Sequence, residues 1–219
     1  MTMTNGKREN ESNFSVRQIA AAGVLTAMTI VTTVFTRIPV SFIQGYFNLG
    51  DTIILTAGVL FGGLTGAFTG AAGSAIADIL TGSYVFAPIT LIVKGLEGYV
   101  AGKISASAGY GGKPSGEPAD RKHAHADRKP AHADREPAHT DRKPILAQRK
   151  LMFALIAGAC VMIIGYFVAE STVLTLFDRA FGYTTAVAEL PINIAQGGIS
   201  VVLARLAVEG LKRSGIIQF

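Results

Sequence analysis

From Ile53 to Ala77 the chain carries no charged side chain, and from Val16 to Phe35 it carries only Arg17. At about 1.5 Å per residue, helices of such lengths reach across a hydrocarbon layer of about 30 Å. A backbone in lipid must satisfy its own polar groups, so these runs predict helices of a membrane bundle rather than strands of an open sheet. Composition agrees: 49% of residues are hydrophobic and 16% charged, with a mean hydropathy of +0.39, against about 25% charged in an ordinary soluble domain. The charge that exists is segregated. Residues 103 to 150 hold 11 of the 20 Lys and Arg and 6 of the 15 Asp and Glu, leaving 18 charges for the other 171 residues. Glycine is abundant, at 25 of 219, and tryptophan absent, which favours helices packed backbone against backbone.

A net charge of +5 and a pI near 9.4 do not argue for nucleic acid, because the basic residues flank the apolar spans, where insertion bias puts them. No nucleic-acid partner is expected. The single Cys160 excludes an intrachain disulfide and a thiolate metal cluster. The polar stretch Met1 to Asn13 leads into the first apolar run without a clear small-residue cleavage site, so that run is expected to be retained as a span.

The spans fall at Val16 to Phe35, Val85 to Ile104, Leu151 to Leu174 and Ala186 to Leu211, plus one or two between Tyr46 and Thr81. Gly62-Gly63 is a plausible break there, giving Tyr46 to Gly62 and Leu64 to Thr81. Gly58, Gly62, Gly66, Gly70 and Ser74, spaced by four, instead suit the small face of one continuous helix. Charge counting weighs the two. Six spans with both termini cytoplasmic put 17 basic residues inside and only Arg37 and Arg179 outside, whereas five spans give 15 and 4; the excess of positive charge expected inside leans toward six. The expectation is an all-α membrane protein with a cytoplasmic tail at 1–15, helices one to four at 16–106, a low-complexity cytoplasmic loop at 107–149, and helices five and six with a short tail at 150–219.

That loop holds ADRKHAH, ADRKPAH, ADREPAH and TDRKPIL, from Ala119 to Leu146. The period of seven is not a coiled coil, since apolar pairs are missing and Pro130, Pro137 and Pro144 recur at one position. A disordered, solvated linker is expected. It also carries all four histidines, 123, 125, 132 and 139, but metal binding is a less economical reading than a linker.

An ionised side chain in hydrocarbon costs about 2.5 to 3.5 kcal/mol on insertion scales, so those present should face a cavity or one another. They are Asp51, Asp78, Lys94, Glu97, Glu170 and, at a span edge, Glu189. With six spans, Asp51, Asp78, Glu170, Glu189 and Asn193 gather toward the outer ends, and Lys94 and Glu97 lie near the middle of span four. A pocket open to the outside needs only a few directed polar groups among apolar and aromatic walls. Candidates to touch a solute are Asp51, Lys94, Glu97, Glu170, Asn193 and Gln196, with Tyr84, Phe86 and Tyr166 as stacking surfaces. The plainer reading is that Lys94 and Glu97 neutralise each other at i, i+3 and that Asp51 and Asp78 anchor helix ends.

No G-x-x-x-x-G-K-[ST] loop is present, so the chain has no ATPase of its own. H-E-x-x-H is absent, no histidine lies in a span, and no serine there has a histidine base. No enzyme activity, cofactor or metal is expected.

At three elements, N-L-G-D (Asn48 to Asp51), G-S-A-x-A-D (Gly73 to Asp78) and K-G-x-x-G-x-x-A-G (Lys94 to Gly102), with a weaker L-P-I-N-I-A-Q-G-G (Leu190 to Gly198), the chain resembles the substrate-binding S components of energy-coupling factor (ECF) vitamin transporters. The branch is the riboflavin or hydroxymethylpyrimidine type, and the likeness covers roughly two thirds of the chain. It implies a six-helix S component in a prokaryotic cell membrane, with both termini cytoplasmic. Such a subunit captures a vitamin at the outer face and docks on a transmembrane coupling subunit driven by two cytoplasmic ATPases; S components are thought to topple in the membrane to release the solute. The family's alanine-xxx-alanine docking pair on helix one corresponds to Gly23 and Ala27. The 40-residue insertion after span four departs from the family's short connection and puts docking geometry in doubt.

The reading is therefore a solute-capture subunit for hydroxymethylpyrimidine, riboflavin or pantothenate, in falling order. The alternatives are a self-sufficient proton-coupled carrier using Glu97 or Glu170, and an intramembrane enzyme using Asp51, Asp78 or Glu97 as acid or base.

Overall fold

Gly62 decides between the two readings of the charge-free stretch. In the computed structural model it adopts φ 92° and ψ 169°, a conformation open to glycine and strained for other residues. Helix α2 (Gly50–Phe61) ends there and α3 (Gly63–Leu80) runs back beside it. A Cβ placed on Gly66 would lie 2.6 Å from the Cα of Gly58, so the spacing of four serves contacts between helices instead of one long helix. The structure describes residues 16–39, 45–110 and 142–215; the heptapeptide repeats before residue 142, their histidines and both chain ends lie outside the described residues.

The described residues form six helices, with a two-stranded ribbon between the first and the second. Helix α1 is Val16–Phe35, and β1 (Ile38–Pro39) pairs antiparallel with β2 (Tyr46–Phe47) before α2. Helix α4 is Ala87–Ala106, with Pro88 in its first turn, where a missing N–H costs nothing. Helix α5 is Arg142–Val168, continued by a π-helical turn, Ala169–Val173, and a 3-10 turn, Leu174–Leu176; α6 is Tyr183–Arg213. The expected loop boundary at residue 149 is thus too late. The backbone is already helical at Arg142, with Pro144 tolerated in the first turn. Pro191, in turn, falls inside α6 because that helix starts at Tyr183.

Helix α2 touches each of the other five. At 12 residues, 9 of them buried, it spans only about 18 Å, too short to cross the hydrocarbon alone. The surrounding helices shield it from lipid. Against it, α3 and α4 come to backbone distance: a Cβ on Gly58 would meet the Gly98 carbonyl at 2.5 Å, and one on Gly102 would meet the Gly63 nitrogen at 2.5 Å. Leu55, Val59, Leu151, Leu155, Val201 and Val208 form the main apolar core.

The outward faces are apolar, with Val24 and Met28 on α1, Leu91 and Leu96 on α4, Phe153 on α5 and Leu206 on α6 all exposed. Among the described residues, Gln18–Phe35, Leu146–Leu176 and Tyr183–Arg213 are long and apolar enough to cross a membrane by length and composition alone. Helix α4 also carries Lys94 and Glu97, yet it turns both inward and keeps an oily exterior.

Candidate functional site

Contacts along the helices place the starts of α2, α4 and α6 and the ends of α1, α3 and α5 at one end of the bundle. Gly66 meets Gly98 and Gly70 meets Lys94, an antiparallel pairing, while Gly45 meets Glu189 and then Asp51 meets Gln196, a parallel order along α2 and α6. The short α2 begins deep within this end. Its second residue, Asp51, is level with Lys94, the eighth residue of α4, and Gln196, the fourteenth of α6. Above α2 a recess remains, roofed by the β1–β2 ribbon. It encloses about 340 Å³ of non-atom space, mouth included. Gly45, Tyr46 and Asn48 close one side, Phe86 just before α4 and Thr90 within it a second, Tyr166 of α5 and Glu170 of the π-helical turn a third, and Glu189, Asn193 and Gln196 of α6 the fourth.

The floor is a buried network. Lys94 Nζ donates to Asp51 Oδ1 and lies 3.4 Å from Glu97 Oε2, while Gln196 Nε2 donates to Asp51 Oδ2 at 2.8 Å. The Gln196 carbonyl oxygen accepts from the Asn48 backbone N–H at 2.9 Å, and Asn48 Oδ1 accepts from the Gly50 N–H at 2.8 Å. The Leu49 N–H donates to Thr36 Oγ1 at 2.8 Å. Unpaired N–H groups at the start of α2 would be costly at this depth, and side chains from the preceding loop meet them. Asp51, Lys94 and Glu97 are all at most 2% exposed. Buried charges persist only when paired or hydrogen-bonded, yet both Glu97 oxygens lack a hydrogen-bond partner among the described residues.

The ribbon is latched to the α3–α4 turn. Tyr46 OH donates to Asp78 Oδ1. The Arg37 guanidinium stacks 4.0 Å from the centre of the Tyr46 ring, donating from Nη2 to Ser83 Oγ at 2.6 Å and from Nη1 to the Thr81 carbonyl at 3.3 Å. On the opposite wall Thr90 and Tyr166 share a hydroxyl hydrogen bond of 2.9 Å, and Lys94 Nζ sits 5.4 Å from the Tyr166 ring centre, a cation–π contact. The mouth is apolar on one side, where Phe86 packs edge-on to Phe181 at 5.3 Å beside Leu174. Glu189 accepts the Gly45 N–H at 2.7 Å, and its carboxyl group interacts with that of Glu170, which projects from the π-helical turn.

Of the residues singled out from the sequence, Glu170, Asn193 and Gln196 line the recess, with Phe86, Tyr166 and Glu189. Asp51, Lys94 and Glu97 lie beneath it, joined to the wall through Gln196. Tyr84 lies elsewhere. It is 67% exposed and outside the recess; Phe86, two residues on, turns inward because its ring packs on Phe181 and Leu174. Thr90, Tyr46 and Asn48 were not anticipated. Asn48 had a signal, since an Asn just before an apolar helical run is a capping residue. Gly23 and Ala27 share an exposed face of α1, and a Cβ on Gly23 would meet nothing within 4 Å. Among the described residues no group of His, Cys, Asp and Glu could hold a metal ion.

Residues 13–115 match the family model of the ECF-type riboflavin transporter S component. A stretch of 75 residues is 48% identical to an uncharacterized protein in the gap 3' region of Pyrococcus woesei. That stretch is 34% of this chain and spans about half of the relative's length. The fold aligns with the solved S component of a bacterial ECF transporter at a TM-score of 0.56 and 16% identity, over 90% of this chain and 96% of that one. Residues 13–115 are thus similar in sequence to the S components of ECF-type riboflavin transporters, and over nearly its whole length the chain shares the fold of a solved S component.

Proposed function

We propose that the protein captures a small water-soluble vitamin or vitamin precursor in the recess above α2 and passes it to an ATPase-driven coupling module. The observation that carries this reading is the recess itself: a short buried helix leaves room at one end of an otherwise close-packed bundle, and the room is walled by aromatic rings, amides and carboxyl groups. Such a site binds and orients, and it holds no nucleophile paired with a base. Gln196, Asn193 and Glu170 would touch the solute; Asp51, Lys94 and Glu97 would hold Gln196 and the floor in place. The recess faces the external medium in this reading, and both termini are cytoplasmic, as the distribution of basic residues supports. Gly23 and Ala27, small and exposed, would form the face that meets a transmembrane coupling subunit with its two ATPases.

Mass spectrometry of solute released from detergent-purified protein tests the capture reading. A hydroxymethylpyrimidine, riboflavin or pantothenate mass at near one equivalent is expected; protein that neither carries nor binds any of them refutes it. Glu97, buried beside Lys94 but without a hydrogen bond among the described residues, supports one rival, a proton-coupled carrier. Uptake into vesicles containing this chain alone would establish that rival.

A further inference from the structure

At the end of the bundle opposite the recess, Gln148, Arg149, Met152, Phe153 and Ile156 of α5 and Arg205 of α6 border a groove with about 700 Å³ of non-atom space, mouth included. Its two charged residues are both arginines. Arg149 is exposed and has no hydrogen-bond or ion partner among the described residues. Arg205 donates from Nε to Glu209 Oε1 at 2.7 Å, a bond that takes one of its five N–H donors. Neighbouring cations are engaged on other faces: Lys150 Nζ donates to the Ser107 carbonyl at 3.4 Å, and Lys212 Nζ sits 5.5 Å from the Tyr110 ring centre. Arg149 falls in the first turn of the apolar run Leu146–Leu176, the level where hydrocarbon gives way to headgroups.

Below the arginines the groove opens toward lipid. Phe153, Ile156, Cys160 and Ile164 are exposed and recur every three or four residues, an apolar track along one face of α5. From Phe153 to Ile164 the track descends about 16 Å, close to half of a hydrocarbon core of about 30 Å. Two guanidinium groups on one groove repel until an anion comes between them. We propose that the groove binds one anionic phospholipid, its phosphate held by Arg149 and Arg205 and one acyl chain laid along the track from Phe153 to Ile164. Guanidinium groups hold phosphate oxygens through paired N–H donors, and Gln148 adds an amide donor. Basic pockets between spans at this level suit anionic headgroups. An acidic protein segment would answer the arginines but leave the apolar track uncovered at lipid depth, so the charge above and the oil below together select a lipid.

The test is native mass spectrometry of the full chain, delipidated in detergent and titrated with phosphatidylglycerol or with phosphatidylcholine of the same acyl chains. One phosphatidylglycerol should bind at least about tenfold more tightly than phosphatidylcholine, and Arg149→Gln should weaken it about fivefold. Arg205→Gln alone would strand Glu209, so Arg205→Gln combined with Glu209→Gln is the second variant, with the same loss expected. Lys212→Gln removes an equal charge beyond the groove and should bind phosphatidylglycerol as the parent does. Equal binding of the two lipids overturns the proposal, as does an equal loss in Lys212→Gln, which would make the attraction diffuse. Glycerol 3-phosphate binding as tightly as the lipid would overturn it too, leaving a site for free phosphate in which the apolar track plays no part. If the arginine variants keep the lipid preference but lose association with the coupling subunits, the groove is a protein contact and the proposal falls. None of these outcomes bears on capture in the recess.

Discussion

Where α2 begins, side chains from the ribbon, α2, α3, α4, α5 and α6 are tied by hydrogen bonds and ion contacts around a recess. Where α2 ends, Leu60, Leu151 and Val208 pack without polar partners, and Gly58, Gly63 and Gly102 let three helices touch at the backbone. In lipid the second arrangement gains little from leaving water, so its cohesion comes from close contact between atoms, which small residues maximise. The first sacrifices that contact. Each unmet polar group there costs about 1 to 3 kcal/mol, and several remain, on Asp78, Glu97 and Glu170. One tightly packed end can thus carry an opposite end whose polar groups are left partly open.

The comparison breaks most visibly at the packed end. In Gly98→Leu the new side chain would strike the Gly66 carbonyl and the Ile54 side chain, and the expected cost exceeds about 3 kcal/mol. No monodisperse protein should survive size-exclusion chromatography in mild detergent, whereas normal elution would mean the glycine seam is dispensable. At the open end Lys94→Met leaves Asp51 and Glu97 without their cation and should lower stability by about 3 to 5 kcal/mol. Adding Asp51→Asn and Glu97→Gln should return much of it in thermal unfolding; if the triple variant is no more stable than the single one, the charges are not acting as a unit.

Smaller effects sharpen the contrast. Gln196→Leu removes the link between Asn48 and Asp51, for about 1 to 3 kcal/mol of stability and, on the capture reading, about tenfold in solute affinity. Equal affinity in the variant would move the site away from this wall. Ala27→Trp, on the exposed face of α1, should change stability by less than about 0.5 kcal/mol and leave solute affinity alone, while abolishing uptake when the coupling subunits are supplied. Uptake at the original rate would remove Gly23 and Ala27 from the docking face.

Much of this was legible in order along the chain. The apolar runs marked α1, α3, α4, α5 and α6 to within a few residues, except for the early start of α5, where Pro144 and the basic residues beside it read as linker although a proline is harmless in a first helical turn. Buried Asp51, Asp78, Lys94, Glu97, Glu170 and Glu189 were identifiable because charge is conspicuous in an apolar run. Of their partners, the Lys94–Glu97 pair at 3.4 Å was legible from its spacing, and the distant ones were not. Lys94 has Glu97 three residues away, yet it donates to Asp51, 43 residues distant, and Tyr46 with Asp78 closes a contact across 32 residues. Aromatic identity also misled at the turn before α4, where Tyr84 and Phe86 differ by two positions and only packing on Phe181 tells which ring faces inward.

By itself the sequence determined that the chain is a helical membrane bundle, how its spans are ordered, and that polar groups concentrate toward one end, because hydrocarbon penalises every charge and every unpaired backbone group locally. Only the tertiary structure decided that α2 is the short central helix, that the chain reverses at Gly62, and that the space above Asp51 is a walled recess. Those outcomes depend on which surfaces meet, and contact between residues far apart in the chain leaves little trace in the order of either one.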